Sequence, residues 1–426
     1  MRQTTPQTGV SATGVAEATQ PQAVVYEQLE DFARQAIQTL LQRVLEEEVE
    51  CLLDRSKSER REPGQPRGYR NGYGKERRLA TSMGTIALRR PRVRDTEEPL
   101  VSRVLPLFKR RTQQVGALLP TLYLHGLSSG DFELAMRGLL GEGAPLSASS
   151  ISRLKEVWTG EYQTWKRREI PSDVVYLFVD GIYVKAGLEK EKAALLVAIG
   201  VRADGSKQVL AVECGQRESE AGWSSMLRDL KMRGMKCPKL VIGDGHLGIW
   251  AGLANVFPEA AEQRCWNHRM RNVVDRVGKK QQGTAQELLT KVMYAPTRAQ
   301  AEQARQIFSE WAKSAQYERA GTLLEEDWER MVAYYAFPKE HWVHLRTSNI
   351  VESPFASVRL RTTASKRYKK VTAATAMIWK LLMVAEQTFR KITSSELLVK
   401  VYAGMVCEDG VFLKPIEVAE PAARAA

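Results

Sequence analysis

Cysteine is scarce and unpaired. The chain has five in 426 residues, at positions 51, 214, 237, 265 and 407. An odd number without recurring spacing argues against a disulfide framework and for a reducing cytosol. Long apolar runs are also missing. None reaches the roughly 18 residues that a membrane span needs, so no membrane partner is expected. The opening MRQTTPQTGVSATGVAEATQPQ (1–22) lacks the apolar centre of a secretory signal and reads as a disordered leader. No repeat recurs at a solenoid period. Acidic residues are in deficit, 50 Asp and Glu against 63 Lys and Arg, a formal charge of +13. A basic chain of this size most often meets nucleic acid, less often a membrane surface. The remainder is an ordinary globular balance, 43% hydrophobic and 27% charged, long enough for two to four domains.

The residues present divide the chain into zones. Apolar residues at three-and-four spacing (Leu29, Phe32, Ala33, Ile37, Leu40, Leu41) predict a helix within 23–54, serving either as a core element or as a dimer contact. Residues 55–111 carry 17 Lys and Arg against 6 Asp and Glu, interleaved with Gly, Pro and Tyr. Charges this dense repel unless a polyanion screens them, so this zone reads as a DNA-contacting segment. Arg67, Arg70, Arg89, Arg90 and Arg92 are its candidate phosphate contacts, and Tyr69 is a candidate for stacking on bases. Residues 112–170 predict three short helices with breaks at Gly126–Ser129, where Ser129 is a candidate N-cap, and at Gly141–Pro145. The last helix opens on Ser149, Ser152 and Arg153, polar residues suited to base edges or phosphates, the pattern of a helix-turn-helix reader.

From residue 171 the pattern becomes β-like. VVYLFVDGIYVKAG, ALLVAIGVR and KQVLAVECG predict strands, the last two joined by the turn Ala203–Ser206. An amphipathic helix follows, then the short strand PKLVIGDGH, and the fold class is α+β. Residues 279–345 read as helical. Residues 346–395 return to a basic stretch, with 9 Lys and Arg against one acid between 356 and 391. The segment 396–426 reads as a C-terminal tail. Two of these strands end on acids, Asp180 and Asp244, each followed by Gly, as if the backbone there approached a ligand. Paired carboxylates at strand ends are costly unless cations neutralise them, and oxygen donors of this kind suit Mg²⁺.

The run YRNGYG, TIALRRPRVRD, LYLHGLSSGDF, the Asp180 strand, IGDGH, QRCWNHRMRNV and TSNIVESPFASVRLRT resembles, in order, the Mutator-type transposases of bacterial insertion sequences. The resemblance covers roughly residues 69–367. It implies a DDE recombinase with a ribonuclease-H-like core, interrupted by a helical insertion and preceded by the all-α helix-turn-helix region. The family's three catalytic and metal-binding acids fall on Asp180, Asp244 and Glu352, 64 and 108 residues apart. They would hold two Mg²⁺ ions, with Mn²⁺ as a substitute. Pro354 suits a first helical turn, so Glu352 is expected at or just before the start of its helix. The family's Cys-x-x-His pair falls on Cys265 and His268, expected as a structural pair beside the site, since no second pair at zinc-finger spacing accompanies it. Arg269, Arg359 and Arg361 are further candidate phosphate contacts. Trp328 is either a core residue or a stacking platform for an extruded base.

The implied activity is binding of an element's terminal inverted repeats, then strand cleavage and transfer into target DNA. It would be carried out by a homodimer or larger assembly in a bacterial cytoplasm, associated with the nucleoid. A catalytically silent DNA-binding regulator and a structure-specific nuclease are the alternatives.

Overall fold

The computed structural model describes residues 28–106, 109–127, 131–141, 148–187, 192–215, 218–365 and 367–413. They form two compact units, one comprising residues up to 123 with 129–150, the other 124–128 and 151 onward.

The first unit begins with α1 (Leu29–Leu53), in agreement with the helical periodicity. Segment 55–111 is more than a basic stretch. It contains an antiparallel hairpin of β1 (Tyr69–Thr81) and β2 (Gly84–Arg94). The hairpin was hidden because its apolar alternation is short, with Leu79, Ile86 and Leu88 facing inward. Register irregularities between Arg70 and Tyr73, and between Tyr73 and Glu76, break the period further. These inward residues pack with Leu45 of α1 and with Leu105. Gln42 on α1 docks the edge of β2: its Nε2 donates to the Arg89 carbonyl at 2.8 Å and its Oε1 accepts the Arg89 N–H at 2.9 Å. A helix thereby covers backbone groups that a bare edge would expose. The helices α2 (Gln113–Leu124) and α3 (Asp131–Leu140) lie in this unit apart from the last residue of α2. The proposed Ser129 cap and most of the second break fall outside the described residues.

The second unit takes nearly all of α4 (Ala148–Lys166) and a five-stranded sheet. Its strands are β3 (Val174–Val184), β4 (Ala193–Arg202), β5 (Lys207–Gly215), β6 (Leu240–Gly243) and β7 (Ala261–Arg264). The spatial order is β5-β4-β3-β6-β7; β3, β4 and β5 run antiparallel, and β6 and β7 run parallel to β3. The expected turn joins β4 and β5, closed by the Arg202 N–H on the Ser206 carbonyl at 2.9 Å. The α+β class is the one observed. β3 is nearly continuously apolar because it is central and covered on both faces.

On one face lie α5 (Glu220–Met232) and α6 (Leu247–Val256), packing Trp223, Met226, Leu230, Ile249 and Leu253 against Leu177, Val179 and Val241. Strand periodicity therefore turns Tyr176, Phe178 and Asp180 to the opposite face. There the Tyr176 hydroxyl meets His341 Nδ1 at 2.8 Å.

After α7 (Trp266–Val274) comes the helical stretch α8 (Gln282–Met293), α9 (Arg298–Ser314), α10 (Glu318–Glu325), α11 (Trp328–Val332) and α12 (Trp342–Leu345). It is tied to the sheet edge by buried polar contacts. Gln263 of β7 donates to the Met331 carbonyl at 3.2 Å and accepts the Tyr334 N–H at 2.9 Å. The Trp266 indole N–H reaches the same Met331 carbonyl at 2.8 Å. The Asp327 carboxylate receives the guanidinium groups of Arg264, Arg269 and Arg330. Burial alone would raise the pKa of Asp327, but Arg264 and Arg269 outweigh it and hold the carboxyl below its ordinary value.

The chain continues with α13 (Asn349–Glu352), α14 (Phe355–Ser365) and α15 (Val371–Glu386). Residues 396–413, expected as tail, instead carry α16 (Leu397–Tyr402) and a small ribbon of β8 (Cys407–Glu408) and β9 (Val411–Phe412). The ribbon turn exchanges backbone hydrogen bonds with Tyr335 and Lys339, which a bare tail would not do. Among the described residues no helix is long and apolar enough to cross a membrane.

Asp327→Ala should destabilise the protein by about 3–5 kcal/mol, because it strands partly buried guanidinium groups without a counter-charge. Urea unfolding measures this. A loss below about 1 kcal/mol would mean that the arginines reach water once freed.

Candidate active site

β3 and β6 pair in parallel through Tyr176–Leu240, Leu177–Val241 and Phe178–Ile242. Two residues beyond the last pair stand Asp180 and Asp244. Parallel neighbours lie ~4.8 Å apart, so equal register sets the two acids side by side. Val241 faces α5 and α6, so alternation puts Asp244 on the same face as Asp180. Asp180 is only 7% exposed. Its Oδ1 accepts its neighbour's N–H, from Gly181, at 2.8 Å. Its pKa is pushed up to about 7, first by burial and next by the Asp244 charge, with Glu352 adding to the rise. Asp244 is half-buried and caps its own turn, accepting the His246 N–H at 3.0 Å.

The glycines after these acids have a different use from the one expected. A Cβ on Gly181 would land on the Glu218 carboxylate, and one on Gly245, which has φ +94°, would land on the Arg264 guanidinium. Both positions make room for the chain's own charged side chains.

Glu352 is the last residue of α13, and Pro354 separates it from α14, so it stands before the longer helix as its proline requires. The Ser348 hydroxyl bonds to Glu352 Oε1, while the Ser348 backbone N–H donates to Cys265 Sγ at 3.3 Å. His268 Nδ1 lies 3.7 Å from Glu352 Oε1. The His268 pKa is raised to about 9, chiefly by its hydrogen bond with the Cys265 sulfur, against burial, with the Glu352 and Asp180 charges assisting. The imidazole is therefore cationic at neutral pH and faces the acids. Burial would raise the pKa of the Cys265 thiol, but the hydrogen bonds from His268 and Ser348 leave it lowered.

Cys265, His268 and Glu352 offer ligand atoms within 4.8 Å of one another, and no fourth ligand joins them among the described residues. A closed four-coordinate zinc site is thus incomplete. The oxygen donors of Asp180, Asp244 and Glu352, with Asp180 desolvated beside a second acid, fit a hard divalent cation.

The family model "Transposase, Mutator family" matches residues 10–391. The chain belongs to the Mutator family of transposases. The transposase for insertion sequence element IS6120 of Mycolicibacterium smegmatis is 42% identical over 71% of this chain and 94% of that protein. The transposase for IST2 of Acidithiobacillus ferrooxidans is 38% identical over 65% and 94% respectively. Among solved structures, the HTLV-2 integrase catalytic core domain in complex with magnesium matches 31% of this chain and 93% of its own, at 13% identity and a TM-score of 0.17. A score that low speaks neither for nor against a shared fold.

In this transposase the candidate DNA-contact residues separate by exposure. Arg67, Arg89, Arg92, Ser152, Arg153 and Arg359 are exposed. The side chain of Ser149 lies outside the described residues. Arg70 is paired with Glu46 and Glu50, and Arg90 donates to the Leu100 carbonyl, so both are engaged within the chain. Arg94 lies over the Tyr69 ring, 4.9 Å from its centroid, on a face expected to take a base. Two expectations need correction. Arg269 is 2% exposed and turned to Asp327. Arg361 is 1% exposed and donates to the Leu127 carbonyl at 3.2 Å. Buried guanidinium groups held this way present no surface to DNA. Trp328 is 6% exposed, with the Arg305 guanidinium 4.5 Å from its ring centre, so it is a packed residue and not an open platform.

Three residues close to these acids went unread. Ser348 was missed inside TSN, although serine before a short helix is a common cap. Tyr183 and Glu218 were missed because they join only when β3 meets the start of α5; Glu218 is buried and hydrogen-bonded to Tyr183.

Asp180→Asn should raise the melting temperature in chelator at pH 8. A carboxyl with its pKa at about 7 when folded, against an ordinary 3.8, is destabilising once ionised. That penalty is full above pH 7 and fades as pH falls toward 4, so the gain should shrink at pH 5. Thermal melts at the two pH values measure it. An equal melting temperature at pH 8 would mean that Asp180 is well solvated.

Proposed function

We propose that this transposase binds the terminal inverted repeats of its element and catalyses divalent-metal-dependent cleavage and strand transfer on a ribonuclease-H-like core. The observation that carries the reading is the nearness of Asp244 and Glu352 to a buried Asp180, whose pKa is raised first by burial, next by the Asp244 charge and further by Glu352. Asp180, Asp244 and Glu352 would hold two Mg²⁺, with Mn²⁺ as substitute. The chemistry that such ions supply is Lewis acidity, activating the attacking hydroxyl and stabilising the leaving 3′ oxygen of DNA. The protein's own part is positional. β3 and β6 set two carboxylates rigidly, Ser348 and His268 orient the third, and the His268 cation tempers the repulsion among them. Water or a DNA 3′-hydroxyl then attacks phosphorus in line, with no covalent protein–DNA intermediate.

The exposed arginines Arg67, Arg89 and Arg92 and the Tyr73 ring, 43% exposed, suit the hairpin to DNA backbone contact. Arg153 on α4 is the candidate base reader within a helix-turn-helix. Two DNA ends must be joined, so a dimer or larger assembly acts.

Asp180→Ala, Asp244→Ala and Glu352→Ala should each abolish end cleavage and strand transfer while leaving repeat binding intact. Chelation should mimic all three. A gel assay of cleavage beside a binding assay on the same preparations tests this. Full cleavage by the Asp180 variant would sink the metal mechanism. Binding without any cleavage by the unaltered chain would identify a silent regulator, and cleavage indifferent to the repeat sequence a structure-specific nuclease.

Binding should also weaken steeply with salt. Several phosphate contacts imply orders of magnitude between about 50 and 200 mM. Arg89→Ala with Arg92→Ala should flatten the slope of log affinity against log salt by about 2. An unchanged slope would remove the hairpin from the interface.

A further inference from the structure

Glu218 has no part in the reading above, yet it is among the most buried acids of the second unit, at 4% exposure. It immediately precedes Ser219, the N-cap of α5, and its side chain runs back over β3. Its carboxylate fills the space where Gly181 lacks a side chain, one residue from Asp180. The Tyr183 hydroxyl hydrogen-bonds to it, whereas Oε2 is buried with no partner. No basic side chain pairs with it among the described ion pairs. An ionised carboxylate oxygen without donor or counter-ion is costly to bury. Burial first, and then the charge of Asp244, raise its pKa, and the Tyr183 hydrogen bond and the neighbouring His246 and His268 rings oppose that rise. Asp244 and His268 act on Asp180 in the same senses. Glu218 therefore shares its surroundings with the acids already described. Its Gly181 seat is the residue that follows Asp180 on β3, at the position that alternation turns toward α5.

We propose that Glu218 is a fourth carboxylate ligand of the divalent-ion site, its unpartnered Oε2 supplying a further oxygen donor alongside Asp180 and Asp244. This rests on the metal-site reading under Proposed function. Tyr183 is a positioning residue, holding the Glu218 carboxylate so that Oε2 stays free. Gly181 leaves the space that the carboxylate needs.

The test is Mn²⁺ binding to the full-length protein, followed by calorimetry and by electron paramagnetic resonance. Unaltered chain, Glu218→Gln, Tyr183→Phe and Asp244→Asn are compared, each with its melting temperature in chelator. Loss of groups that merely orient ligands costs ~10–100-fold in metal affinity, so Glu218→Gln should lose at least about tenfold. Tyr183→Phe should lose less, and raised Mn²⁺ should restore cleavage to both. Mn²⁺ binding by Glu218→Gln equal to the unaltered chain, with Asp244→Asn impaired, overturns the proposal and leaves the metal site standing. Undiminished binding by Asp244→Asn as well overturns the metal-site reading itself. A second measurement needs no variant. Fe²⁺ with ascorbate and peroxide cuts a chain beside bound iron, and cuts near residues 180, 218 and 244 are expected. Cutting at 180 and 244 without 218 overturns the proposal even if Glu218→Gln fails to fold.

Discussion

Two carboxylates at equal register on adjacent parallel strands repel each other, and much of the second unit is arranged around that repulsion. β3 is buried on both faces, so Asp180 cannot escape into water, and parallel pairing with β6 keeps Asp244 beside it. Low dielectric strengthens the repulsion. The surrounding residues temper it. His268 brings a cation, held in its protonated form by the Cys265 sulfur and by the acids themselves. Gly181 contributes a backbone N–H. What remains uncompensated is an electrostatic demand of the kind that the proposed divalent ions would meet.

The third acid depends on packing far from it. Glu352 sits on a helix of one turn, which has little stability of its own. Its position comes from Ser348, whose hydroxyl bonds to the Glu352 carboxylate and whose backbone N–H donates to Cys265, and from the Trp266 N–H on the Arg346 carbonyl at 2.9 Å. Cys265 and Trp266 are held in turn by β7 and by the Met331 carbonyl, inside the helical stretch between residues 279 and 345. Asp327 locks that stretch to Arg264 and Arg269. A buried ion cluster of this kind adds little net stability, but it punishes any other arrangement. The insertion thereby acts as scaffold for the acid that follows it in sequence.

The first unit relies on a different device. Its hairpin is too polar to bury much area, so α1 completes it with Leu45 in the core and with the Gln42 amide along the edge of β2. Arginines are left on the surface because few positions of the hairpin face inward. Arg70 and Arg90 are exceptions, the first taken up by Glu46 and Glu50 on the helix and the second donating to the Leu100 carbonyl.

Local pattern was enough for much of this. The strand run from Val174, the turn at Ala203–Ser206, the helix over Leu29–Leu53 and Asp244 directly after its strand follow from near-neighbour periodicity and turn chemistry, which residues close in sequence decide. Asp180 was expected at a strand end but lies within β3, whose pairing with β4 continues to Val184. Motif order was enough for the family. Pro354 was enough to set Glu352 ahead of its longer helix. What periodicity could not convey was which charges meet. Arg269 and Arg361 look like surface residues in sequence, and only packing brings Asp327 and the Leu127 carbonyl to them. The hairpin at Tyr69–Arg94 lacked a readable alternation because bulges and arginines interrupt it. Glu218 had no local signature at all. Its partner Tyr183 is 35 residues away on β3, and a buried carboxylate becomes visible only when the sheet and α5 close over it. The sequence by itself determined most of the elements of the second unit, because periodicity and turn chemistry are local properties. The tertiary structure alone decided which charges are neutralised and which are left for a ligand, because burial and electrostatic pairing exist only between segments the fold brings together.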